Sequence, residues 1–235
     1  MIVAASSGIV KVVGDLFHPI FTLFGWLLAQ FYQIIPNYGV AISLLTILIM
    51  GVLTPLTVKS TRSMMAMQAL QPELKKLQQK YKGPEHRAQM NEEMMRLYKE
   101  HKINPLGGCL PMLIQIPVFI ALFVVLRSAI ELRFASFLWI KDLSEAENLF
   151  PFGFSIPLLG WSAINILPIL MAVTMFWQQK LTPSTGDAQQ QKIMMFMPVM
   201  MLFFFYTMPS GLVLYWTTSN LIMIIQMLIK KPKTA

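Results

Sequence analysis

The chain has 235 residues, of which 13% are charged and 55% hydrophobic, with a mean hydropathy of +0.57. That is too apolar for an ordinary soluble domain, and the ~10-residue alternating strands of a membrane β-barrel are absent, so a helical membrane protein is expected. The one cysteine, Cys109, excludes an intrachain disulfide framework and a cysteine metal cluster, and the net charge of +8 is read as topology and lipid attraction before nucleic acid.

Residues 1–15 carry only Lys11 and Asp15 as charges and lack the charged start and continuous apolar run of a signal peptide; they are set apart as an N-terminal segment. In 16–36, His18, Thr22, Gly25, Ala29 and Gln33 form a weakly polar stripe among Phe17, Phe21, Phe24, Trp26, Leu28 and Phe31. This predicts an amphipathic helix lying in the interface, the rival being a first span, with a break at Pro36-Asn37. Residues 37–59 form the first uncharged span, with Thr46, Thr54 and Thr57 as polar groups and Pro55 as a kink; Lys59 and Arg62 mark the exit to water.

Residues 60–104 change character. Met67, Leu70, Leu74, Leu77 and Tyr81 form a seam, Lys82-Gly83-Pro84 a turn, and Met90, Met94, Leu97 and His101 a second seam, predicting a charged helical hairpin. Asn104-Pro105 and Gly107-Gly108 then break the helix at the water boundary. Further spans are expected at 105–130, 161–180, 193–209 and 210–229. They are separated by an aromatic loop at 131–160, a polar loop at 181–192 and the Pro209-Ser210-Gly211 turn, and followed by a basic tail at 230–235. Of 19 Lys and Arg, only Lys11, Arg127, Arg133 and Lys141 lie on the side opposite the hairpin. The expectation is a cytoplasmic hairpin and C-terminus with the N-terminus outside.

No catalytic constellation stands out. His18, His86 and His101 are scattered, Gly107-Gly108 lacks a nucleotide-loop context, and the five spans contain no Asp, Glu, Lys, Arg or His except Lys59, Arg127 and Lys180 at or near their ends. The chain is therefore not read as an enzyme, and no metal or cofactor is expected. The spans carry neutral polarity instead, at Thr46, Thr54, Gln115, Asn165, Thr174, Gln178, Thr207, Thr217, Thr218, Ser219, Asn220 and Gln226. Such groups either join helices by hydrogen bonds or line a wet groove.

Several stretches together resemble the YidC/Oxa/Alb family of membrane-protein insertases. They are Asn104-Pro-Leu-Gly-Gly-Cys-Leu-Pro-Met-Leu-Ile-Gln-Ile-Pro117, Leu70-Gln-Pro72, Glu92-Glu-Met-Met-Arg-Leu-Tyr-Lys-Glu100, Asp142-Leu-Ser144, Leu167-Pro-Ile-Leu170 and Pro209-Ser-Gly-Leu-Val-Leu-Tyr-Trp216. The resemblance covers roughly residues 17–230. It implies an all-α polytopic fold of five transmembrane helices around a hydrophilic groove, with an interfacial helix and a cytoplasmic hairpin. It also implies ATP-independent insertion and folding of membrane proteins in a bacterial inner membrane. Nascent membrane proteins would be the clients, with the Sec translocon, ribosome, signal-recognition-particle receptor and membrane lipids as further partners and no specific nucleic acid.

Carried over by position, Thr46 on the first span and Tyr215 and Trp216 on the fifth would contact substrate, with Gln178 or its neighbour Gln179 and Gln115 in the groove. The family pattern Thr-Ile-Leu-Ile-Arg implies an arginine at position 50, where this chain has Met50. A small transporter or channel subunit and a helix-binding assembly factor are the alternative readings.

Overall fold

The computed structural model describes residues 2–81, 83–104, 110–154, 161–182 and 188–229. Pro105–Cys109 of the junction motif, Lys82 of the hairpin turn, residues 155–160, most of the polar loop (183–187) and the 230–235 tail lie outside them.

Eight α-helices make up most of the described structure. Helix α1 (Ile2–Ile34) is continuous, so residues 2–15, set apart on charge alone, are the first four turns of the helix expected to start at 16. Buried Phe24 and Leu28 join the main core, while α1 packs on α2 and α5. The Pro36-Asn37 break separates it from α2 (Tyr38–Ala69), whose first turn Asn37 caps: its Oδ1 accepts the Val40 N–H at 3.1 Å.

Helix α2 does not stop at Lys59. It continues ten residues past it, with Pro55 inside. Proline lacks the N–H that would bond the carbonyl four residues back. Threonine hydroxyls on either side of it bond helix carbonyls that precede it: Thr54 donates to Met50 O at 2.7 Å and Thr57 to Thr54 O at 2.9 Å.

The hairpin consists of the end of α2, α3 (Gln71–Lys80) and α4 (Arg87–Glu100), joined by a turn in which Gly83 adopts φ +112°. Its own small core is Met67, Leu70, Leu74 and Tyr98, flanked by Met94, Leu97 and Ile103. Tyr98 thus replaces His101 in the expected seam. His101 is exposed, and its Nδ1 lies 3.0 Å from Leu97 O. Outward-facing Arg96 pairs with Glu93 and Glu100, and Ser63 Oγ donates to Asn104 O, tying the arms together at their base.

Helices α5 (Leu110–Ser128), α6 (Ile166–Leu181), α7 (Ala188–Phe205) and α8 (Ser210–Ile229) complete the bundle. Helix α8 is the hub, packing against α6, α2 and α5. By length and composition α2 and α8 can cross a membrane, and Leu113–Ser128 and Ile193–Phe205 are shorter apolar helices.

The described residues between α5 and α6, 129–154 and 161–165, form a cap. Leu132, Ile140 and Leu143 are buried in the main core. Strands β1 (Phe150–Pro151) and β2 (Ala163–Ile164) pair antiparallel within it. Its backbone satisfies the start of α8, since Ser210 N donates to Glu145 O at 2.7 Å and Gly211 N to Leu143 O at 2.8 Å. The cap also needs Gly39, because any Cβ there would overlap the Phe137 ring.

Candidate functional site

Uncharged polar side chains from three helices converge on α8. In its first half, toward the cap, Gln115 Nε2 of α5 donates to the Tyr215 hydroxyl. One turn and more further along, Asn220 Nδ2 donates to Thr174 Oγ1 of α6 at 3.3 Å. Near its end, Gln226 Nε2 donates to Thr54 Oγ1 of α2 at 2.8 Å. At about 100° per residue, Tyr215 and Gln226 lie on nearly the same line along α8 and meet α5 and α2, while Asn220 points about 140° away and meets α6. Sulfur extends the pattern: Gln178 Nε2 meets Met223 Sδ at 2.9 Å and Thr182 Oγ1 meets Met227 Sδ at 3.8 Å.

Beside these pairs lies a narrow crevice between α2, α5 and α8. Its cavity volume is only about 10 Å³, room for little more than a water-sized group, and it is lined by Met50, Leu53, Leu56, Thr57, Ile114, Gln115 and Met223. Its walls are mostly apolar, with Thr57 and Gln115 as the polar members. Among the described residues the interior polarity is spent on helix-to-helix hydrogen bonds, not on an open hydrophilic channel.

Of the residues singled out by sequence, Met50 and Gln115 share the crevice wall, and Gln115 brings in the fully buried Tyr215. Gln178 reaches the crevice only through Met223. Thr46 is buried one turn away with its hydroxyl donating back to Ile42 O at 2.7 Å. Half-buried Trp216 stands edge-on to Phe119 and tilted against Phe205, outside the crevice lining.

The capped end of the bundle is locked by groups that sequence reasoning passed over. Buried Glu147 accepts Trp139 Nε1 at 2.5 Å and the Leu167 N–H at 2.7 Å, placing a carboxylate at the start of α6, where the helix dipole favours it. Tyr206 stacks on Trp161 at 3.9 Å; its hydroxyl donates to Ala163 O and accepts from Asn165 N. The one available signal was a glutamate, one of three in an aromatic-rich loop, and such a residue ordinarily reads as surface. Asp142 organises the same cap by accepting Ser144 N and Oγ at 2.8 and 2.7 Å. Burial pushes its carboxyl up, but those hydrogen bonds, the Phe134 backbone and the Arg133 charge outweigh this and hold it below the usual range.

The fold and this site define a class: a helical membrane protein with a neutral polar interior, closed at one end by a cap. The family model described as "60Kd inner membrane protein" matches residues 30–235. Among curated relatives, membrane protein insertase YidC of Syntrophobacter fumaroxidans is 52% identical over 202 residues, covering 86% of this chain and 36% of the relative. That of Pelobacter propionicus is 50% identical over 198 residues, covering 84% and 35%. A crystal structure of an active YidC insertase with its first transmembrane domain resolved aligns with a TM-score of 0.65 at 31% identity, over 94% of this chain and 47% of that one. The chain belongs to the 60Kd inner membrane protein family, the YidC/Oxa/Alb family that its motifs resemble. It spans about a third of the length of these curated relatives.

Proposed function

We propose that this chain is a membrane-protein insertase acting without ATP, with nascent membrane proteins as its clients. In this reading α2, α5, α6, α7 and α8 are five spans, α1 lies along the interface from about residue 16, and the hairpin and C-terminus are cytoplasmic. That side would meet the ribosome, the signal-recognition-particle receptor and the cytoplasmic face of the Sec translocon. The N-terminus would lie outside the inner membrane.

The observation that carries the reading is the set of neutral polar pairs around α8 beneath a closed outer cap. An interhelical hydrogen bond in a membrane is worth ~0.6 kcal/mol on average, so parting the three pairs at Gln115, Asn220 and Gln226 costs only about 2 kcal/mol. A client span of ~20 leucine-like residues gains roughly 0.3–0.6 kcal/mol per residue, about 6–12 kcal/mol in all. The gain exceeds the opening cost several-fold. The separated groups then offer hydrogen bonds to a polar tail that would otherwise cross hydrocarbon unpaired. Thr46, Met50, Gln115, Gln178, Tyr215 and Trp216 form the client path, and no covalent step is needed.

Reconstituting the chain into liposomes with a single-span client tests this. The client tail becomes protease-protected only when the chain is present. Equal protection without it, or solute flux without insertion, overturns the proposal, the second outcome in favour of a transporter.

A further inference from the structure

A second cavity, of about 260 Å³, lies at the capped end of the bundle, away from the crevice. Leu126, Arg127, Ala129, Arg133, Ser144 and Glu145 line it. Its chemistry is divided. Arg127 and Arg133 supply only donors. The Arg127 guanidinium lies 5.1 Å from the centroid of the Phe123 ring, over its face. Both arginines are exposed, and the ion pairs among the described residues belong to Arg96 and His86, so neither cavity arginine is neutralised by direct contact with a carboxylate.

The remaining polar wall supplies acceptors. Ser144 has one hydroxyl proton, and it is committed to Asp142 Oδ1 at 2.7 Å, which leaves the Ser144 oxygen to accept. The Glu145 backbone carbonyl is taken by Ser210, while its side chain is exposed. Two guanidinium groups face Glu145, with Asp142 behind Ser144, so the surroundings carry two charges of each sign. A ligand matching this wall is anionic at one end, a hydrogen-bond-donating cation at the other, and neutral overall.

The depth of the cavity is marked independently. Phe134, next to Arg133, is 85% exposed and Leu138 is 74% exposed, and Phe150 and Phe154 of the same segment are also exposed. Aromatic and apolar side chains turned outward beside arginines are the signature of the headgroup layer.

We propose that this cavity binds the phosphoethanolamine headgroup of an outer-leaflet phospholipid. The phosphodiester oxygens sit on Arg127 and Arg133, where planar guanidinium forks match phosphate geometry. The ammonium donates to the Glu145 carboxylate and Ser144 Oγ. The lipid then bridges the end of α5 to the cap that closes α8. This assignment does not depend on the insertase activity, but it rests on the topology proposed with it, which puts the capped end outside.

The test is lipid retention by the full chain, released from bilayers containing phosphatidylethanolamine, phosphatidylglycerol and phosphatidylcholine with identical acyl chains and counted by native mass spectrometry. Phosphatidylethanolamine is retained about tenfold over the other two, the factor one charge-assisted hydrogen bond supplies. Arg127→Gln with Arg133→Gln abolishes retention of all three, while the paired lysine replacements keep most of it. Glu145→Gln erases the preference for ethanolamine over glycerol. Circular dichroism melting verifies that each variant is folded. Equal retention of the three lipids by the unaltered chain, or an unchanged preference in the variants, overturns the proposal. So does displacement of the lipid by soluble glycerophosphoethanolamine at equal concentration, which would make the site one for a free headgroup. Crosslinking of Arg133 to a client tail in place of lipid would reassign the cavity to protein and overturn it as well.

Discussion

Replacing Met50 by arginine separates two demands made on the same position. Met50 is buried in the crevice wall, where the polar neighbours are Gln115 and Thr57 and no carboxylate is present. An arginine near mid-span costs about 2.5–3.5 kcal/mol on the insertion scale, so Met50→Arg should lower the stability of the bundle by about that amount. The same charge attracts an acidic client tail. At ~8 Å and an effective dielectric of ~20 the attraction is about 2 kcal/mol, roughly a thirtyfold upper limit on the preference for an acidic over a neutral tail.

The assay is the yield of protease-protected client in liposomes, for one single-span client bearing either tail. Unaltered chain should insert the two tails within about twofold of each other, since neutral groups discriminate charge weakly. Met50→Arg should favour the acidic tail, and Met50→Gln, similar in size and uncharged, should not. Salt should reduce the preference most toward the wetter, hairpin-side mouth of the path. Equal yields for both tails in both forms, with the arginine variant folded, would refute the electrostatic reasoning.

Three further outcomes follow from the geometry. Gly39→Ala forces a methyl group into the Phe137 ring and should cost about 1–3 kcal/mol in thermal melting, with most of it recovered in combination with Phe137→Ala. Gln115→Leu and Tyr215→Phe should each destabilise by about 1 kcal/mol, and the double variant by clearly less than their sum; strict additivity would show that the hydrogen bond carries no coupling. Asp142 has a depressed folded-state pKa, so its contribution is complete above the ordinary value of 3.8 and is lost as pH falls through the lower folded value. The protection factors of amides in residues 140–145, taken against the intrinsic rate at each pH, should therefore be flat from neutral pH down to about 5 and fall below about 4, and Asp142→Asn should remove that acid step.

The helical membrane class was legible because uncharged runs such as 38–58 are a one-dimensional signal, and the family because its motifs are contiguous strings. What stayed hidden depends on contacts between distant positions. Gln115 and Tyr215 are 100 residues apart, and Thr54 and Gln226 are 172 apart; no period links either pair. Sequence therefore lists the polar groups without saying whether they face each other or water. Tyr98 was overlooked because the rule of three-four spacing selected His101, which the end of α4 instead turns into solvent. Glu147 and the buried Leu132, Ile140 and Leu143 lie in a segment without regular period, where burial is decided by the chain's path over the bundle end. The early start of α1 was missed because Lys11 and Asp15 broke an apolar pattern without breaking the helix.

The unbroken course of α2 has a mechanical consequence. Its 32 residues measure about 48 Å at ~1.5 Å per residue, and a hydrocarbon layer of ~30 Å absorbs fewer than two thirds of them. The hairpin is thus mounted on a stiff mast about 18 Å tall. A sideways push at the masthead is delivered as torque to the rod beneath it, and Thr54 and Met50 ride on that rod.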